Sequence, residues 1–140
     1  MQFDLNDPKH LHADTRLRRE PIIWMSSVRP DGRPHLIPVW FLWDGATILI
    51  FSQPKTQKMR NLRASPHVTL ALEAANTGSD IVILDGTIAI GALDAVKHAL
   101  PAYAEKYGAL IAGMNWTLET MLADYSVPLI VTPTRLTVWS

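Results

Sequence analysis

The chain contains no cysteine, which excludes disulfide staples, thiolate metal ligands and a cysteine nucleophile. It also lacks any apolar run approaching the roughly 20 residues that a membrane-spanning helix requires. The opening MQFDLNDPKHLHADTRLRRE mixes both charge signs and has none of the continuous apolar centre of a secretory signal. The expectation is a soluble, cytoplasmic protein without membrane partners. Seven glycines are present, yet none form a dinucleotide fingerprint, a phosphate-binding Walker loop or a G-x-S-x-G elbow. The five histidines are scattered. His10 and His12 offer two metal ligands with no third close in sequence, so no metal site is assigned. Ser26 and Ser27 have no evident base partner, and hydrolysis is not supported.

What is present is an ordinary globular composition, 48% hydrophobic and 19% charged over 140 residues, enough for a single domain spanning residues 1–140 with one core. The net charge is zero, which argues against the broad basic face that nucleic-acid affinity rests on. The charge is unevenly placed. Lys55, Lys58, Arg60 and Arg63 fall in residues 46–72, where no acid occurs at all. A small anion site is compatible with that island.

Hydrophobic periodicity divides the chain coarsely. Residues 7–20 read as a short amphipathic helix. IIWMSSV (residues 22–28) and HLIPVWFLW (residues 35–43) flank an Asp31-Gly32 turn and predict a hairpin. ATILIFS follows the Asp44-Gly45 turn as a third strand. HVTLALE and DIVILDGTIAI supply a fourth and a fifth, separated by the turn-rich AANTGS. Residues 93–125 are helical in texture, with Pro101 suited to a first turn and Thr117 to a cap. VPLIVTPTRLTVW closes the sheet. The predicted fold class is α+β: a mostly antiparallel six-stranded split β-barrel, with a helix after strand 3 and a helical insertion before the last strand. Runs such as VWFLW imply cover on both faces, by the core and by a partner or ligand.

The basic island lies where strand 3 gives way to a helix. Pro54 ends the strand, Thr56 can cap a helix carrying Met59 and Leu62 on its apolar face, and Ser65-Pro66 stops it. Lys58 then sits in the first turn, where the helix dipole disfavours a cation by a few tenths of a kcal/mol. Solvated surface lysines and arginines are one reading. The other is phosphate binding, because a hydroxyl-bearing turn leading into a helix N-terminus presents free N–H groups beside a lysine. In the preceding strand Pro38 removes a backbone donor, and Val39, Trp40 and Phe41 make an apolar wall suited to a flat ring, or ordinary core or dimer residues.

SVRPDGRPHLIPVWFLWDGATILIFSQPKTQKMRNLRASPHVTLAL, together with YSVPLIVTPTRLTVW near the end of the chain, resembles the flavin- and deazaflavin-binding split β-barrel superfamily. That group includes pyridoxamine 5'-phosphate oxidases, and the C-terminal strand resembles a subgroup of coenzyme F420-dependent enzymes. The resemblance implies that Lys58 and Thr56 hold a cofactor phosphate and that Ser52 lies near the ring or its ribityl chain. It likewise implies that Pro38, Val39, Trp40 and Phe41 line the ring, with Asn61 in support. Gln57 stands where pyridoxamine-phosphate oxidases carry an arginine, so one charge partner is absent there. Lys55 and Arg60 could meet the carboxylates of the F420 tail, or could equally be solvated. A homodimer with cofactor sites at the interface is implied, to which Trp116 or Trp139 could contribute. The implied activity is hydride transfer between F420 and an electron-poor small molecule, with no catalytic side chain named. FMN chemistry and a non-enzymatic flavin, deazaflavin or haem carrier are the alternatives.

Overall fold

The computed structural model describes residues 1–139. Its first helix, α1 (Pro8–Arg19), starts where Asp7 caps it by accepting from the Lys9 N–H and where Pro8 occupies a first-turn position, as helix-start chemistry favours. Two antiparallel strands follow, β1 (Ile23–Val28) and β2 (Pro34–Val39), joined through the Asp31-Gly32 turn, in which Gly32 adopts φ +90°. Next come β3 (Leu42–Trp43), β4 (Ile48–Ser52), α2 (Gln57–Ala64), β5 (His67–Ala71) and β6 (Ile81–Ile90). The insertion comprises α3 (Leu93–Val96), α4 (Leu100–Gly113) and α5 (Leu118–Asp124), with Pro101 in the first turn of α4 and a Thr117–Thr120 capping box on α5. β7 (Val127–Trp139) ends the sheet.

The sheet has seven strands rather than the six expected, in the order β2-β1-β5-β6-β7-β4-β3, and every pairing is antiparallel. The extra strand arises because HLIPVWFLW does not run through. It breaks at Trp40 and Phe41, so that β2 pairs with β1 while β3 pairs with β4. The helix expected after strand 3 therefore follows β4. This break also curls the sheet. β2 and β3 are its two opposite edges, and a two-residue link cannot span more than about 11 Å, so the edges are drawn together into a split barrel.

Side chains replace the ladder at the break. The Phe41 N–H donates to the Tyr107 hydroxyl at 2.8 Å, and the hydroxyl proton lies within reach of the carbonyls of Pro21 (2.8 Å) and Phe41 (2.9 Å). Lys106 Nζ donates to the Phe41 carbonyl at 2.7 Å and sits 3.7 Å from the centre of the Phe41 ring, a cation–π contact.

The core has two parts. Inside the barrel, Leu17 of α1 and Met59 of α2 pack against Ile23, Met25, Ile50, Leu70, Leu84 and Leu129. On the other side of β4, Leu49 and Phe51 meet Tyr103, Tyr107 and Ile111 of α4 and Met121 of α5. All five β4 residues are buried, and the second cover, expected from a partner or ligand, comes here from the chain's own helices. Where β6 crosses β7 at the Asp85/Gly86 bulge, a Cβ on Gly86 would lie 2.7 Å from the Thr132 carbonyl oxygen, which is why glycine stands there.

Removing the Tyr107 hydroxyl leaves the buried Phe41 N–H without an acceptor. Tyr107→Phe is therefore expected to lower unfolding free energy by about 1–3 kcal/mol; urea denaturation within 0.5 kcal/mol of the unsubstituted protein would contradict the role given to this hydroxyl.

Candidate functional site

β4 ends at Ser52, and the chain turns through Pro54 and Lys55 into α2. Thr56 is the N-cap residue, its hydroxyl accepting from the Met59 N–H at 3.4 Å. With Thr56 capping, Lys58 falls in the first turn, as the sequence predicts. The helix turns its apolar side, Met59 and Leu62, into the barrel. That orientation carries Lys58 and Asn61 inward too, whereas Lys55, Arg60 and Arg63 remain exposed. The basic island thus resolves into three solvated cations and one buried one.

Lys58 is only 8% exposed. Its Nζ donates to Ser52 Oγ at 2.6 Å, and Ser52 in turn donates to the Gln53 carbonyl at 2.8 Å. Among the described residues no carboxylate forms an ion pair with it. Burial holds its pKa below the ordinary lysine value. A buried ammonium with a single neutral acceptor and unused donors is costly in a finished protein interior, and such groups concentrate at binding sites.

A cavity of about 470 Å³ opens beside it, and Lys58 is the one charged residue of its lining. Ile37, Pro38, Val39 and Trp40 form one wall, at the end of β2. Phe51 and Tyr103 form the floor from the second core, meeting edge to face at 5.0 Å. Met114, Trp116, Met121 and Tyr125, from the α4–α5 turn and α5, close the remaining side together with Ile22. The Trp40 ring is fixed by stacking on Tyr107, with centroids 4.6 Å apart and planes 3° from parallel. Trp116 and Tyr125 lie 6.4 Å apart across the turn. The space is apolar and aromatic with one cationic end, which suits a flat ring carrying an anionic tail.

The structure gathers some of the expected residues and not others. Pro38, Val39, Trp40 and Lys58 line the same cavity. Ser52 and Asn61 are fully buried beside it without lining it; Ser52 holds Lys58, and Asn61 donates to Ser27 Oγ at 3.0 Å. Thr56 acts as helix cap. The Gln57 amide is engaged within α2, donating to Asn61 at 2.8 Å and accepting from Arg60 at 2.9 Å. Lys55 is solvent-exposed. Phe41 lies in the barrel core, 0% exposed and outside the cavity lining. The opposite wall escaped sequence reasoning: Tyr103 belongs to an apolar helical stripe that reads as core, and Met114, Met121 and Tyr125 carry no local signal. Trp116 lines this chain's own cavity, whereas Trp139 is 65% exposed at the far end of β7. Among the described residues no cluster of three or more metal-ligating side chains occurs, and no helix is long and apolar enough to cross a membrane.

Comparison with known proteins identifies the family and the fold. The family model described as pyridoxamine 5'-phosphate oxidase matches residues 11–140. A search of curated protein sequences finds no match. Among solved structures, an F420 reductase is 25% identical, with a TM-score of 0.69, over 89% of this chain and 94% of its own. A conserved hypothetical protein from Mycobacterium tuberculosis is 23% identical, with a TM-score of 0.72, over 93% of this chain and 83% of its own. A haem storage protein, HutZ from Vibrio cholerae, is 16% identical, with a TM-score of 0.69, over 99% of this chain and 96% of its own; at that identity it shares the fold alone.

Because the folded state holds the Lys58 pKa down, the unfolded chain binds the extra proton more readily, and the ligand-free protein gains stability as pH rises through the folded pKa towards the unfolded value. Lys58→Met is accordingly expected to stabilise the ligand-free protein at pH 7 by about 0.5–2 kcal/mol. A lower melting temperature for that variant would mean that the amine is a structural strut.

Proposed function

The chain belongs to the pyridoxamine 5'-phosphate oxidase family, and from that premise we propose that it is an oxidoreductase acting on a small electron-poor organic molecule with a bound deazaflavin, coenzyme F420. The observation that carries this reading is Lys58, a buried cation without a carboxylate partner at the polar end of an otherwise apolar cavity. A ring bearing a phosphate supplies what that cavity lacks. Lys58 would hold the phosphate, helped by the free N–H groups of the first turn of α2, which Thr56 caps. Pro38, Val39 and Trp40 would lie along the ring, with Trp40 kept in plane by Tyr107. The bound cofactor supplies the hydride chemistry, while the protein binds, orients and excludes water. No side chain is assigned a proton-transfer role. The F420 reductase neighbour favours deazaflavin, and FMN is the alternative cofactor because it presents the same features.

Lys58→Ala should weaken cofactor binding about 10- to 150-fold, the usual span for one hydrogen bond to a charged group. Fluorescence titration with F420 and with FMN measures this and chooses between them: tight FMN binding with no deazaflavin response would remove F420. Turnover of the reduced cofactor with candidate acceptors then separates an enzyme from a carrier of the kind that the Vibrio neighbour represents by its description.

A homodimer forms part of the proposal. The outer face of β1 and β2 exposes Trp24 (41%), Val28 (42%) and Leu36 (60%) in one contiguous patch, because Trp24, Ser26 and Val28 stand opposite Pro38, Leu36 and Pro34. Apolar side chains clustered in this way mark an association surface. Pro38 belongs both to that row and to the cavity rim, so a partner docked on this face would lie beside the site. Trp24→Glu is expected to convert the dimer to a monomer in sedimentation velocity; an unchanged dimer would put the interface elsewhere.

A further inference from the structure

β2 directs Val39, Ile37 and His35 to the same face, opposite Ile23, Met25 and Ser27 of β1. Val39 and Ile37 line the cavity. His35 is the next side chain in that row, about 7 Å further along the strand. Its Nδ1 is buried and has no hydrogen-bond partner among the described residues. His35 itself is outside the cavity lining, one step along the strand from Ile37; buried polar atoms in native proteins are nearly always paired, so an orphan next to the cavity marks a place that something other than the chain completes.

The neighbours of His35 narrow what that is. Ser27, directly across from it, accepts from Asn61, and Asn61 accepts from Gln57, whose own oxygen is taken by Arg60. The Gln57 oxygen and one of its two N–H groups are therefore engaged within α2, leaving a single neutral N–H where the resemblance implies an arginine. The charges acting on His35 are those of Arg29, at the end of β1, and Lys58, on α2; together with burial, the leading cause, they hold the imidazole below its ordinary pKa. No carboxylate among the described residues pairs with any of the three. Two cations thus act on an imidazole whose Nδ1 is unpaired, and no anion accompanies them.

We propose that His35 is a further binding residue of the cavity's polar end, its Nδ1–H donating to the phosphate that Lys58 holds. This rests on the cofactor reading given above and supplies a second side-chain donor beside Lys58. It also gives β2 two tasks: its final residues wall the ring, and its second residue reaches the anion.

The test compares FMN with riboflavin, which has the same ring and no phosphate, and F420 with its phosphate-free chromophore if F420 binds more tightly. His35→Leu is expected to weaken binding of the phosphorylated ligand about tenfold and leave the phosphate-free one within twofold. His35→Asn, whose amide N–H can occupy the place of Nδ1–H, should recover most of the loss. In the unsubstituted, 15N-labelled protein the His35 Nδ1 resonance should move on adding FMN and stay in place with riboflavin, a readout that survives even if His35→Leu fails to fold. Equal loss of both ligands, or an Nδ1 signal indifferent to phosphate, overturns the role of His35 while a phosphate-selective loss in Lys58→Ala leaves the cofactor reading standing. No loss in Lys58→Ala overturns both.

Discussion

The joint at Trp40 and Phe41 is the constraint on which the rest of the molecule depends. Two residues connect the opposite edges of a seven-stranded sheet, so the sheet must curl. Both Phe41 backbone groups lose their ladder partners there, and an unpaired buried N–H or C=O costs about 1–3 kcal/mol. Tyr107 and Lys106 supply the missing partners from α4. Burial pushes the Lys106 amine down to about 8, against the opposing charge of Glu20, and raises the Tyr107 phenol well above its ordinary value. Both groups are thus firmly desolvated, and the insertion that carries them is part of the barrel's closure.

That same joint shapes the cavity. Phe41 turns inward to the barrel core and Trp40 outward to stack on Tyr107, so adjacent residues serve the core and the site wall. The helices that satisfy the joint also bring Tyr103, Met114, Trp116, Met121 and Tyr125 to the opposite wall. Barrel closure and site formation are one packing event, in which a disturbance of α4 reaches the ring wall without touching any ligand.

Against those apolar walls the polar end stands out by its imbalance. Among the described residues the two buried charged side chains other than Lys58 are paired: Arg16, 4% exposed in its side chain, meets Glu20 at 2.6 Å and Asp80 at 3.0 Å and also donates to the Glu73 carbonyl, tying α1 to the β5–β6 connection. Asp14 accepts from Trp43 and Arg18 at 2.8 and 3.0 Å. Lys58, the third buried charged residue, has one hydroxyl as its partner. The contrast distinguishes a cation kept for a ligand from one kept for the fold, and the stability forgone there is of the kind that binding sites commonly carry.

Local chemistry made much of this legible in the chain itself. Asp7-Pro8, Thr56 and Thr117 start helices because their side chains meet N–H groups within three residues, and Asp31-Gly32 turns a hairpin because glycine tolerates the positive φ required. Lys58 could be placed in the first turn of α2, and the anion-binding potential of that turn followed from short-range geometry. Beyond the reach of local signals lay the break after Val39, because Phe41 satisfies its backbone through residues 65 and 66 positions away. The same holds for the inward turn of Phe41, the aromatic wall from the insertion and the orphaned Nδ1 of His35. Helix caps and turns are settled by neighbours in the chain. Which face of a residue meets a ligand, and which charge goes unpaired, is settled only when distant segments compete for the same buried space.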